Sequence, residues 1–229
     1  MESTTHPLSE PEQVILCEQL LNSNAANYTS VGVSDLAGFA GVPLDKANTH
    51  FRSANDWIDS CYCLLAERYR QMTNRVPGYE EYSTGEKLVN FTLTSMDMMR
   101  DYQHFVDGTF HHFILNRFTA SAFEKDVQRL FEDFVKQDGR VAYAQQILLI
   151  SPFYTLAARE YLHLLGYWIS HPNSEEEIMA LCEKSARLLN ELLYNGILDN
   201  AADLGRFLYQ NNFLSVTTPF VIVRRLLRW

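Results

Sequence analysis

Between residues 32 and 57 the chain reads GVSDLAGFAGVPLDKANTHFRSANDW, and this stretch leaves few folds open. Val33, Leu36, Ala37 and Ala40 fall at i, i+3, i+4 and i+7, the spacing of one apolar helix face. Gly41 follows with the permissive backbone that a helix end or tight turn requires. Pro43 stands where a first helical turn tolerates it, and Leu44, Ala47 and Phe51 open a second apolar face. Two short helices joined by a tight turn, running into a third, form the pattern of a helix-turn-helix. In that motif the second helix is offered to a DNA major groove.

Over about residues 12–58, and without a gap, the sequence resembles the N-terminal domain of the tetracycline-repressor (TetR) family. Val33, Asp35, Leu36, Ala37, Ala40, Gly41, Val42, Phe51, Ser53 and Trp57 occupy that family's packing and turn positions. The resemblance implies an all-α chain: a three-helix helix-turn-helix domain over residues 1–53, and a helical ligand-binding and dimerisation domain over 54–229. It also implies a homodimer that binds operator DNA and is relieved by a small ligand. The departures lie on the DNA-facing positions, where the family's capping serine is Pro43, its glycine Asp45, its aromatic Asn48 and its lysine Ala54.

Charge bears directly on that implication. The first Lys or Arg of the chain is Lys46, and before it stand Glu2, Glu10, Glu12, Glu18, Asp35 and Asp45. A protein that neutralises phosphates needs cations on the contacting face, because counterion release supplies most non-specific affinity. If DNA is bound, Lys46, Asn48, Thr49, His50 and Arg52 are the polar groups on or just after the second helix that must carry it. The alternative is a dimer that keeps this scaffold without DNA, as a small-molecule-binding or protein-interaction module.

Four cysteines, Cys17, Cys61, Cys63 and Cys182, lack structural-zinc spacing and read as buried thiols of a reducing cytoplasm. No apolar run reaches the length of a membrane span, and MESTTHPLSEPE lacks the layout of a signal peptide. Ser9-x-x-Glu12 reads as a capping box for a first helix. A helix is expected from Ala54 to Met72, a linker over 73–84 with Pro77-Gly78 as its turn, and a long helix from Gly85 to Asp107. Further helical segments are expected over 110–118, from Ser121 to Lys136 with Gly139 closing it, over 141–150, and from Ser151. His171-Pro172 closes the last of these, Ser174-x-x-Glu177 caps a helix to Tyr194, and a shorter one follows over 200–211.

The sequence holds no serine-nucleophile elbow, zinc-protease histidine pair, phosphate loop or dinucleotide fingerprint, so no enzyme activity, cofactor or metal is expected. His104, His111, His112 and His163 read as hydrogen-bonded core or surface histidines. The aromatic wealth of the second half admits two readings: ordinary core, or an apolar cavity holding a small apolar ligand. Tyr102, His104, Phe105, Phe110, Phe113, Tyr154, Tyr161 and Trp168 are the candidate lining, with tyrosine hydroxyls or His104 orienting the ligand's polar groups. Over 174–196 the apolar stripe is wider than one neighbour requires, which marks Leu181, Leu188 and Leu192 as candidate dimer contacts. The ending PFVIVRRLLRW is apolar and basic, with too few arginines to decide for a membrane-surface or nucleic-acid tail, and docking against the chain's own acidic surface is the plainer reading.

Overall fold

Proline at the first turn of a helix sacrifices an N–H that has no intrahelical partner anyway. Pro11 accordingly opens α1 (Pro11–Leu21), which buries Leu16, Cys17, Leu20 and Leu21. The computed structural model describes residues 11–141 and 151–194, except 24, 26, 27 and 29. The expected cap at Ser9, the segments 142–150 and 200–211 and the basic ending lie outside the described residues. All regular structure among the described residues is helical.

Two short helices and a tight turn form between residues 33 and 50. Asp35 accepts the Gly32 N–H at 2.8 Å and starts α2 (Val33–Ala40). Gly41 ends it in the left-handed region (φ 67°, ψ 32°), and the Val42 N–H closes back on the Ala37 carbonyl at 2.9 Å. That is the glycine-ended helix stop a side chain would strain. Pro43, extended, caps α3 (Leu44–His50), and the Phe51 ring stacks on Trp57 at 4.8 Å.

Ser53 accepts the Asp56 N–H and begins α4 (Ala54–Thr73). This helix buries residues around its whole circumference, including Trp57, Ile58, Tyr62, Leu65 and Tyr69. A helix apolar on every side belongs inside, and α4 packs on α1 and α2 at one end and on α5 and α7 along the rest. The expected linker is a tight connection instead: Gly78 takes φ 75°, a 3-10 turn covers Tyr79–Glu81, and the Tyr79 hydroxyl meets that of Tyr69 at 2.6 Å.

A reciprocal Ser83–Glu86 capping box sets the start of α5 (Thr84–Asp101), one residue before the expected Gly85. The helix expected to continue to Asp107 breaks at Tyr102 (φ −119°, ψ 32°) into α6 (Gln103–Thr109), which runs on as a π-helical turn, Phe110–Leu115. There the Thr109 hydroxyl donates to the Phe105 carbonyl at 2.6 Å and meets the Tyr62 hydroxyl at 2.8 Å.

Ser121 caps α7 (Ala122–Gln137), whose end is held by Asp138 in an extended conformation, with no left-handed Gly139. Two long helices follow, α8 (Ser151–Ser170) on α7 and α9 (Glu175–Tyr194) on α5. Gly85 permits the second contact. A β-carbon there would stand 2.8 Å from the Ala186 carbonyl, and the Gly85 N–H donates to Asn190 Oδ1 at 3.1 Å. Gly85→Ala is therefore expected to force α5 and α9 apart and lower stability by about 1–3 kcal/mol in denaturant titration. An unchanged midpoint would mean that α9 shifts without penalty.

Candidate functional site

On α3 the electrostatics differ from those of a bare cationic helix. Lys46 Nζ lies 2.7 Å from Glu12 Oε1, and His50 Nε2 lies 3.2 Å from Glu12 Oε2. Glu12 stands in the first turn of α1, so the cation of α3 is paired by a neighbouring helix. Hydrogen bonds from Lys46 and then His50 hold the Glu12 carboxyl below its ordinary value. The Thr49 hydroxyl turns back to the Asp45 carbonyl at 2.9 Å. Asn48, Thr49 and Arg52 are exposed, and Asn48 is of the type that pairs bidentately with adenine. An ion pair this exposed is weak, so a phosphate could compete for Lys46.

The aromatic residues of the second half separate into two groups. Phe105, Phe110 and Phe123 each stand 5.6 Å from the Tyr62 ring, and Tyr28 closes on Phe105 at the same distance. With Phe113 also buried, these rings are packed core. Tyr102 is half-buried with its hydroxyl taken by Arg68 at 2.7 Å, and His104 is exposed. Trp168 is buried beneath the Arg100 guanidinium, 5.9 Å from the ring centre.

Of the candidate lining, Tyr154 and Tyr161 line a cavity. It is a groove of about 570 Å³ between α5, α7, α8 and α9. Leu88, Phe131, Phe153, Leu164 and Leu189 contribute to its walls, and Leu181 and Leu188 do as well. The candidate dimer contacts are thus groove walls too, about half and two-thirds exposed respectively (51% and 63%). The side chain of Leu192 is outside those described. Tyr161 stacks on Phe91 at 4.9 Å and donates its hydroxyl to Ser95 Oγ at 2.7 Å. Burial pushes the Tyr154 phenol up to about 12 and raises Tyr161 as well, so both remain protonated at neutral pH.

No family model matches the sequence, and no curated protein matches it. Among the described residues no group of three His, Cys, Asp or Glu side chains could hold a metal ion, and no helix is long and apolar enough to cross a membrane. His111 meets Ser170 Oγ at 3.0 Å.

Sequence reasoning misses Glu160, which lies on the groove. On α8 the groove residues Phe153, Ala157, Glu160 and Leu164 follow helical spacing. A carboxylate at a position the apolar stripe would otherwise fill is a local inconsistency that the sequence does carry. The denser pattern of aromatic residues around it masks that signal.

Proposed function

We propose that the chain is a TetR-like, ligand-responsive regulator that binds operator DNA as a homodimer. The observation that carries this reading is the turn at Gly41. Its left-handed backbone sets α3 against α2 and leaves Asn48, Thr49 and Arg52 facing outward. Dimerisation is assigned to α8 and α9, whose exposed Leu156, Met179, Leu181 and Leu188 are more apolar than a solvated helix pair needs. A partner on this face would also roof the groove.

A second reading, a dimer with the same scaffold that binds small molecules or proteins but no DNA, is favoured by the hold of Glu12 on Lys46 and His50. Gel shift against the chain's own upstream DNA at about 50 mM salt separates the two. The regulator reading expects a shift that Lys46→Ala weakens on every sequence and Glu12→Gln strengthens, with Asn48→Ala relaxing preference at one base. If neither the wild type nor Glu12→Gln shifts any duplex, the regulator reading fails and the second one stands.

A further inference from the structure

Leu88 and Val89 of α5, Phe131 of α7, and Leu181 and Leu189 of α9 make the groove's walls apolar. Among the described residues lining it, Glu160 is the charged one; no Lys, Arg or His reaches the cavity. No other described residue makes a hydrogen bond or ion pair with the Glu160 carboxylate. Two acids on the neighbouring helices are engaged: Arg70 holds Asp126 of α7, and Arg100 holds Glu175 of α9. Phe131, Phe153, Tyr154 and Tyr161 bring four ring systems to the same space as Glu160.

These features select a ligand by charge. An apolar anion would meet a carboxylate and four aromatic rings, with no cation among the described lining residues to receive it. A neutral molecule would satisfy the walls but leave Glu160 beside apolar surface without a counter-charge, an unfavourable arrangement once the mouth is covered. An apolar cation gains from both, through the carboxylate and through attraction to the aromatic faces. The volume is that of a drug-sized molecule, within the roughly 300–1,000 Å³ of ordinary ligand cavities.

We infer that the groove between α5, α7, α8 and α9 binds lipophilic cations, with Glu160 as the selecting group. The inference rests on the groove being the ligand site of the dimer proposed above. It requires no particular outcome at α3.

Tetraphenylphosphonium and tetraphenylborate have nearly the same shape and opposite charge, so they isolate the electrostatic contribution. Titration calorimetry of the full chain should show the phosphonium binding about tenfold more tightly than the borate, the size of effect one close charge with ring contacts provides. Glu160 is exposed, so Glu160→Gln should fold normally, and it should bring the two affinities to near parity. Ser185→Trp, an exposed groove-wall position, should weaken phosphonium binding without altering that preference. Equal binding of the two ions by the wild type would overturn the inference, as would binding of neither. Cation preference retained in Glu160→Gln would place the selectivity in the chain's overall charge of −9 and overturn it too. Because no DNA is present, a chain that shifts a duplex yet binds no phosphonium defeats only the inference. One that binds phosphonium and shifts no duplex defeats only the regulator reading.

Discussion

Asp138→Asn is expected to lower the stability of the folded chain by about 3 kcal/mol at neutral pH, shifting its thermal midpoint down by roughly 6–12 °C. Asp138 is buried where the start of α5, the end of α7 and the end of α9 meet. Its Oδ2 accepts the Thr84 N–H at 2.7 Å, the Thr84 hydroxyl at 3.0 Å and the Tyr194 hydroxyl. Its Oδ1 accepts the Arg140 N–H at 3.1 Å and Nε at 2.9 Å. Every contact is a donor, so an asparagine must turn its NH2 toward donors whichever way it flips.

The same site makes stability depend on acid. Burial raises the Asp138 carboxyl, but the bonds from Tyr194, Arg140 and Thr84 outweigh it and hold the pKa at about 2, against an ordinary 3.8. Protons therefore bind the unfolded chain more readily than the folded one. The carboxylate's contribution is complete above about pH 4 and is lost as pH falls from there toward 2. Wild type and Asp138→Asn should differ most at neutral pH and converge in that window. Melts that superimpose at pH 7 would show that the carboxylate contributes little.

Asp59→Asn is expected to have an effect of similar size at a different joint. Asp59 of α4 is buried and accepts the Ala122 N–H at 2.6 Å, the Phe123 N–H at 2.9 Å and the Arg117 guanidinium at 3.0 Å. It thus caps the first turn of α7 from another helix, beside the local cap of Ser121. Burial raises its carboxyl above the ordinary value, and the two N–H groups and Arg117 offset only part of that rise. An amide offers one acceptor where two are used, and Arg117 loses its counter-charge. The loss should be about 3 kcal/mol, read as a lower denaturant midpoint. Amide exchange should quicken first at Ala122 and Phe123. Protection unchanged at those two amides would assign the capping to Ser121 alone.

Short-range grammar made much of the fold legible. The stop at Gly41 and the helix beginning at Ala54 follow from residues within a turn or two of the boundary. The break at Tyr102 and the π-helical turn after it did not. They answer to distant partners, as when Arg68 takes the Tyr102 hydroxyl and Tyr62 reaches Thr109. The groove was hidden for a related reason. A cavity is a mismatch between the volumes of packed elements, which periodicity does not encode, so Phe105 and Leu181 could not be sorted into core and groove wall from spacing. Asp59 and Asp138 were silent because the partners that tie them to other helices, Ala122 and Phe123 for Asp59 and Thr84 and Tyr194 for Asp138, lie more than fifty residues away in sequence.

The placement of Asp59 also gives α4 a mechanical character. Trp57, stacked on Phe51 just beyond α3, and Asp59, fastened to the start of α7, are separated by one residue, a rise of only about 3 Å along the helix axis. So short a segment of packed helix has no slack to absorb a relative displacement. If the first turn of α7 moves with respect to α3, either the Asp59 clamp parts or α4 is dragged with it, and the tilt of α3 follows.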